Sequence, residues 1–184
     1  MGPDYVEKAF EYARKYADKD VKLIYNDYNV YNPAKCENIF NLAKGLKEKG
    51  LIDGLGLQPT VDLYNPDELS GDSVDSFETC LNKYAELGLE IQITELSFKI
   101  DEDTGERDEQ SLKRQADRYQ EMFELLKRMD TAGGGKCNIT SVSIFGICDD
   151  YPLYDDCVQC LYVWDKECKP KEAFYRIREV GETK

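Results

Sequence analysis

Short apolar runs alternate with stretches of helical periodicity along the whole chain, and this alternation restricts the possible folds more than any other feature. The strand-like runs cover residues 21–27, 51–57, 89–96 and 139–147. Helical spacing is found over residues 4–18, 39–46, 74–84, 112–126 and 170–177. Strands that alternate with helices in this way form a parallel sheet with right-handed crossovers. The pattern predicts an α/β fold that corresponds to half of an eightfold barrel.

The length fits one domain but is short for a complete barrel. The chain has 184 residues, whereas a (β/α)8 barrel typically takes about 250. No linker or low-complexity tract divides the sequence, so residues 1–184 are expected to form a single partial domain. The consecutive glycines at residues 133–135 predict a flexible connection between a helix and a strand.

The charge balance limits the possible partners. A net charge of −13 argues against binding to nucleic acids or anionic membranes, because both would repel such a surface. No apolar run approaches the roughly 18 residues of a membrane span, and the first residues lack the basic and apolar stretches of a signal peptide. An uncharged polysaccharide is therefore a more natural ligand.

Metal binding is not indicated by the sequence. There are seven cysteines and no histidine. Cys157 and Cys160 have the spacing of half a zinc site, but Cys148 and Cys168 would have to converge on them. We expect buried free thiols or one local disulfide instead. The acidic run of residues 101–109 has a misplaced glycine for a calcium loop and is expected to be a solvated loop leading into a helix.

Polar and aromatic residues follow the carboxyl ends of the predicted strands, where α/β folds carry their functional groups. Among them Glu95 is the most informative, because barrel enzymes place catalytic groups at the end of a strand. The alternative interpretation is that Glu95 is a mouth residue in a polar network. Strict alternation along the strand groups Glu95 with Ile91 and Ile93.

Several of these segments occur together in one enzyme family. They are residues 4–10 (DYVEKAF), 25–29 (YNDYN), 52–58 (IDGLGLQ), 92–96 (QITEL), 145–149 (FGICD) and 165–170 (DKECKP). In this order the chain resembles glycoside hydrolase family 10, the endo-β-1,4-xylanases, over essentially its whole length. The matching part begins just after the family's fourth barrel strand. The resemblance therefore implies the C-terminal half of a (β/α)8 TIM barrel, with strands five to eight.

The resemblance implies that Glu95 corresponds to the nucleophile in retaining hydrolysis of β-1,4-xylan. It also implies a substrate-binding cleft lined by Asn26, Tyr28, Asn29, Gln58 and Phe145. The ligand would be xylan or a xylo-oligosaccharide, no cofactor or metal would be needed, and the protein would be extracellular. A tyrosine can stack on a sugar ring and an asparagine can bind its hydroxyls, although residues 26–29 are also typical of a plain turn.

Four positions depart from the family pattern. The histidine that binds the nucleophile in the family is replaced by Thr60, and the aspartate after Glu-Leu is replaced by Ser97. The tryptophan under the central sugar is replaced by Phe145, and a second cleft tryptophan by Leu153 or Tyr154. These changes remove a group that orients Glu95 and weaken the aromatic floor of the cleft.

The second catalytic carboxylate has no counterpart in the sequence. The family carries it in an Asn-Glu pair on the fourth strand, whereas the upstream acids Asp4, Glu7 and Glu11 belong to a helix. A retaining glycosidase needs two carboxylates, so we expect the chain to be inactive alone and to require a missing N-terminal half. The alternative is a non-catalytic half-barrel that binds xylan, or that forms a homodimer through its sheet edges and an apolar barrel face.

Overall fold

The computed structural model describes residues 2, 4–62, 74–99, 109–149 and 162–183, and within these ranges helices and strands alternate. The helices are α1 (Tyr5–Tyr16), α2 (Pro33–Glu48), α3 (Val74–Ala85), α4 (Glu109–Met129) and α5 (Glu172–Glu182). The strands are β1 (Ile24–Tyr28), β2 (Gly54–Gln58), β3 (Thr60–Asp62), β4 (Glu90–Lys99) and β5 (Asn138–Ile144). A short 3-10 helix, Thr131–Gly133, connects α4 to β5. The predicted alternation of strands and helices is confirmed.

All strand pairs in the sheet are parallel. β1 pairs with β2, β2 with β4, and β4 with β5. The four predicted strands are present as β1, β2, β4 and β5, and the structure adds the short β3, which pairs with the far end of β4. Pro59 has no N–H and interrupts the ladder after β2. β4 is ten residues long and continues beyond that break, where Ser97 faces Thr60.

One face of the sheet packs against the helices and forms the core. Leu55 and Leu57 of β2 and Ile91 and Ile93 of β4 are completely buried there. The helices contribute a contiguous set of buried side chains to the same cluster: Ile39, Ala43, Leu46, Phe77, Leu81, Tyr84, Ala116, Tyr119 and Met122. Burial of each large apolar side chain contributes about 1.5–3 kcal/mol, so this face supplies most of the driving force for folding.

The opposite face of the sheet is polar, which corrects the expectation of an apolar barrel face. At least partly exposed on it are Asn26, Gln92, Thr94, Thr140, Ser141 and Ser143. Glycines 54 and 56 lie between these side chains, and a Cβ at Gly56 would collide with the Asn26 amide. The reason is alternation: strand residues between the buried positions are polar or glycine, so the inner face can meet water.

The glycine run after α4 is an ordered turn, so the prediction of a flexible connection was wrong. Asp130 accepts hydrogen bonds from the backbone N–H groups of Ala132 and Ile139, both at 3.0 Å. Gly134 has φ +87°, a left-handed conformation that glycine adopts without steric cost. A Cβ at Gly133 or Gly135 would collide with carbonyl oxygens of α4. These glycines are therefore needed for close backbone approach.

None of the helices in the described ranges is long and apolar enough to cross a membrane.

Candidate active site

Glu95 lies on the polar face because β4 contains an irregularity next to it. Ile93 pairs with Val142 and Leu96 with Ile144, so β4 has one more residue than β5 between these pairs. An extra residue of this kind is a β-bulge, which re-aims side chains and is common beside active sites. Thr94 and Glu95 are both half-buried, whereas Leu96 is fully buried. The grouping of Glu95 with Ile91 and Ile93 by strict alternation was therefore wrong.

Gln58 holds the carboxylate of Glu95. Its amide Nε2 donates to Glu95 Oε1 from the end of β2, which is adjacent to β4 in the sheet. The nucleophile predicted by the resemblance is thus bound by an uncharged donor. The geometry brings two of the predicted site residues into direct contact.

Two of the departures from the family pattern contact each other. Ser97 Oγ donates to Thr60 Oγ1 at 3.2 Å, and Ser97 N donates to the carbonyl of Pro59 at 3.2 Å. Ser97 is fully buried. Where the family is expected to have a histidine and an aspartate beside the nucleophile, this chain has a pair of small hydroxyl residues that join β3 to β4. The contact of Gln58 with Glu95 is separate from that pair.

Asn26 lies on the neighbouring strand and faces β4. Thr94 Oγ1 donates to Asn26 Oδ1 at 2.7 Å, and is also 3.3 Å from the carbonyl oxygen of Leu57. The Asn26 side chain is otherwise exposed, so its amide NH₂ group remains on the solvent side of the sheet. Thr94 was not singled out by the sequence reasoning; its position immediately before Glu95 was the available signal.

The end of β1 carries an aromatic ring with a cation over one face. Tyr28 is 61% exposed, and Lys35 Nζ lies 4.8 Å from its ring centroid. Lys35 also pairs with Asp27 Oδ1 at 2.8 Å, while Tyr25 donates its hydroxyl to Asp27 Oδ2 at 2.6 Å. Burial and this carboxylate raise the pKa of Tyr25 above its usual range. Lys35 therefore fixes Tyr28 and Asp27 together, and the sequence reasoning missed it.

Asn29 forms the turn between β1 and α2. It has φ +53°, and its carbonyl accepts from the N–H of Asn32 at 3.1 Å. Asn32 in turn caps α2 by accepting from the N–H of Lys35 at 3.1 Å. The Asn29 side chain is exposed beside Tyr28. The alternative of a plain turn over residues 26–29 was wrong for residues 26–28, which belong to β1, and only Asn29 lies in the turn. Both predicted sugar-binding side chains, Tyr28 and Asn29, are exposed.

Phe145 directly follows β5 and is half-buried. Phe145 N donates to the carbonyl of Leu96 at 2.9 Å, which ties it to the residue after Glu95. Behind it, Asp149 pairs with Lys171 at 2.9 Å, with both side chains more than 90% buried. The expected replacement of a second cleft tryptophan, Leu153 or Tyr154, lies outside the described residues.

A separate polar network lies on the same face at the beginning of β4. Lys22, Thr140 and Gln92 all donate to the carboxylate of Glu90, which is 8% exposed. These three donors hold its pKa at about 2, well below the usual value for glutamate. Glu90 is therefore fixed as an anion and cannot deliver a proton near neutral pH.

No metal site is found in the part of the chain that the structure describes. No three cysteine, aspartate or glutamate side chains converge there. Cys36, Cys80, Cys137 and Cys148 are buried free thiols, and Cys168 is an exposed one. The Cys157 and Cys160 pair and residues 101–108 of the acidic run lie outside the described residues.

Comparison with known proteins decides the family. The model of glycosyl hydrolase family 10 matches residues 1–180. The chain belongs to glycosyl hydrolase family 10. Its relatives within family 10 include the "Putative endo-1,4-beta-xylanase" of Caldicellulosiruptor saccharolyticus, 62% identical over 98% of this chain and 58% of that protein. The endo-1,4-beta-xylanase A of Thermotoga maritima is 40% identical over 96% of this chain and 16% of its own length.

Solved structures of family 10 agree with the fold. The intracellular xylanase of Thermoanaerobacterium saccharolyticum superposes with a TM-score of 0.79 at 33% identity, over 96% of this chain and 49% of the other. A variant of that xylanase was solved with xylotetraose. The Thermobacillus composti family 10 xylanase gives a TM-score of 0.80 at 34% identity, over 97% and 58%. Since the family 10 neighbours are TIM barrels, the chain is part of one, as predicted.

Family 10 membership does not fix the cellular compartment. The resemblance led to the expectation of an extracellular protein, and that inference was wrong, because a solved family member is described as an intracellular xylanase. The chain spans 58% or less of the length of these curated relatives and solved structures.

Proposed function

We propose that this chain supplies the nucleophile side of a retaining β-1,4-xylanase. Glu95 would attack the anomeric carbon of a xylose unit while the glycosidic C–O bond breaks, forming a glycosyl-enzyme that water then hydrolyses. The observation that carries the proposal is the contact of Gln58 with Glu95 on the polar face. This contact, made by an uncharged amide at the carboxyl end of β2, orients the carboxylate as a nucleophile requires.

The acid/base carboxylate would come from the part of the barrel that this chain does not span. A general acid must be protonated before it can protonate the leaving group. Among the described residues, Asp27 lies near the carboxyl end of β1 and Asp149 follows β5, and each pairs with a lysine at 2.8–2.9 Å. Of the upstream acids, Glu7 pairs with Lys49 and Glu11 with Lys8, away from the strand ends. Each of these four carboxylates is thus engaged by a lysine, whereas Glu95 is engaged by the Gln58 amide.

The sugar-binding side would be formed by Tyr28, Asn29, Asn26 and Phe145. Tyr28 presents the ring face opposite Lys35 to a pyranose, and the exposed amides offer donors for its hydroxyls. A second candidate function, binding of xylan without hydrolysis, is favoured by the Thr60–Ser97 pair. This pair stands where the family's nucleophile-orienting residues would be.

A chimeric barrel tests the proposal. This chain would replace the matched segment of the Caldicellulosiruptor saccharolyticus relative, and release of reducing sugar from xylan would be measured. We expect the chimera to be active, its Glu95→Gln variant inactive, and the chain alone inactive. Glu90→Gln is the matched control, because Glu90 is on the same strand and face but at the beginning of β4, away from Glu95. A folded chimera that binds xylan without releasing sugar would support the second function instead.

A further inference from the structure

Helices α2 and α3 pack side by side on the core face of the sheet. At the surface of the seam between them, Lys83 of α3 pairs with Glu37 of α2, and its ammonium lies 5.1 Å from the centroid of the Phe40 ring. Glu37 and Phe40 are three residues apart and therefore share one side of α2. These contacts place the beginning of α2 opposite the end of α3.

Two cysteines meet in the buried part of this seam. Cys36 of α2 and Cys80 of α3 are each 3% exposed and belong to the core. The thiol of Cys80 is within hydrogen-bonding distance of the Cys36 sulfur, and it is also 3.4 Å from the carbonyl oxygen of Tyr31. The two sulfurs are therefore in direct contact across the helix pair, although both are free thiols.

The surroundings of the pair favour a thiolate on Cys36. The hydrogen bond from Cys80 does most to hold the pKa of Cys36 below its usual value; the Tyr84 hydroxyl and the charge of Lys83 act in the same direction, and burial acts against them. The contact with Cys36, together with burial, raises the pKa of Cys80. A thiol near a lysine that ionises more readily than its neighbour is suited to attack first in thiol–disulfide exchange.

We propose that Cys36 and Cys80 are a site of oxidation, at which a small-molecule disulfide such as oxidised glutathione converts the two thiols into a disulfide that joins α2 to α3. The Cys36 thiolate attacks one sulfur of the small disulfide, whose S–S bond breaks and releases one thiolate. Cys80 then loses its proton and attacks the Cys36 sulfur, and the second small thiolate leaves. The two cysteines lose two electrons and two protons, and the small disulfide becomes two thiols.

The position of the pair is compatible with such a bond. A disulfide requires sulfurs about 2.05 Å apart and Cβ atoms about 3.5–4.5 Å apart. Sulfurs that already touch across two packed helices approach this geometry by side-chain rotation and a small shift of the helices. Because both sulfurs are buried, the small disulfide reaches them most readily while the chain folds, and the closed seam then shields the bond from reductants.

The bond would close the segment 36–80, which carries β2 and β3. Gln58, the hydrogen-bond donor to Glu95, lies within this segment. Tyr31, whose carbonyl faces the Cys80 thiol, donates its hydroxyl to the carbonyl of Thr60 at 2.7 Å. A cross-link over a long loop stabilises a fold mainly by restricting the unfolded chain. We therefore expect oxidation to stabilise the part of the fold that positions Gln58.

Peptide mapping tests the site with the full chain. The protein is refolded from urea over a series of glutathione ratios, its free thiols are blocked with iodoacetamide, and it is digested with trypsin without reductant. A sample refolded with dithiothreitol is the reduced reference. Cleavage after lysine gives peptides 36–44 and 50–83, each with a single cysteine, so a linked pair identifies the bond.

Two variants serve as controls. Cys80→Ser removes the second sulfur of the pair. Cys137→Ser is the matched control, because Cys137 is another buried core thiol, and its sulfur is 3.6 Å from the carbonyl oxygen of Leu81. Each protein is compared in its oxidised and reduced samples, so a variant that is less stable in itself does not obscure the result.

We expect the two peptides to be linked in the unchanged chain and in Cys137→Ser, and not in Cys80→Ser. The melting temperature of the oxidised chain should exceed that of the reduced chain by about 5 °C or more, and Cys80→Ser should show no such increase.

A refolded chain with both thiols open to alkylation at every glutathione ratio would overturn the inference, since the pair would then only fill the seam. Links from Cys36 or Cys80 to other cysteines in place of each other would do the same. A linked pair with a lowered melting temperature would also refute it, because the bond would then strain the native helix pair.

Discussion

Glu95 and Asp27 stand at the same end of the sheet but are held by different partners. Glu95 is bound by the neutral amide of Gln58, whereas Asp27 is bound by the ammonium of Lys35 and the hydroxyl of Tyr25. A charged partner fixes a carboxylate as part of the scaffold, and a neutral donor orients it while leaving its charge available for reaction. This comparison indicates that the hydrogen-bonding partner of a carboxylate, more than its position in the sheet, distinguishes a structural acid from a candidate nucleophile.

The largest expected effect is on the rate of xylan hydrolysis, which should distinguish Glu95 from Asp27. In the chimeric barrel, Glu95→Ala should lower xylan hydrolysis by roughly 10⁴-fold or more, because the covalent step is lost. Added azide should restore part of the activity by attacking the anomeric carbon in place of the carboxylate. Asp27→Ala is the comparison, with a smaller loss that azide does not restore. Rescue of Asp27→Ala rather than Glu95→Ala would reverse the assignment.

The neutral partner of Glu95 should matter for rate more than for binding. We expect Gln58→Met in the chimera to lower kcat by about 10–100-fold with little change in KM, because it loosens the orientation of the reacting group. Thr60→Val is the control, since Thr60 contacts Ser97 and not the carboxylate. A change confined to KM would mean that Gln58 binds substrate directly and does not position Glu95.

The charged partner of Asp27 should matter for stability. Asp27→Asn leaves Lys35 and Tyr25 with a weaker acceptor in a largely buried setting, and we expect a loss of about 1–2 kcal/mol in the free energy of unfolding. Urea unfolding of the chain measures it. A double-mutant cycle with Lys35→Met isolates the pair. Additive losses in that cycle would show that the ion pair itself contributes nothing.

The smallest expected effect concerns Glu90, an acid with three donors at the beginning of β4. Its folded pKa of about 2 lies below the usual value, so its contribution to stability is present above the unfolded pKa and is lost as the pH falls toward 2. We expect the wild-type chain to lose about 1 kcal/mol more than Glu90→Gln between pH 5 and 2, a small amount because its Lys22 partner is 63% exposed and solvent screens the pair. Parallel pH curves for the two proteins would contradict this.

The helical face of the fold and the position of Glu95 were predictable from the sequence. Apolar spacing in α2, α3 and α4 and the largely apolar run of residues 51–57, which includes most of β2, are local signals, and burial in the core follows from them directly. Glu95 was identifiable because polar residues follow an apolar strand. The polar inner face was also readable in the alternation of Glu90, Gln92 and Thr94, but the expectation of an apolar barrel face overlooked it.

The remaining features depend on contacts between distant residues. β3 forms because β4 extends past Pro59 and pairs with it. Predicting this strand would require the register of β3 against β4. The bulge beside Glu95 appears only when β4 is compared with β5, residue by residue. Lys35 belongs to α2 but lies over the Tyr28 ring at the end of β1. No sequence motif around Tyr28 predicts this contact. Sequence periodicity describes one element at a time and carries no information about such pairings.

The bulge in β4 has a consequence for how this family can change over evolutionary time. Ile91, Ile93, Leu96 and Phe98 are all buried, so the core positions keep their phase if one residue is taken out between Ile93 and Leu96. Glu95, the proposed nucleophile, thus occupies a stretch of chain that the hydrophobic interior does not need. A lineage could replace or even delete that residue without repacking its interior, and so lose the reaction while inheriting the scaffold intact.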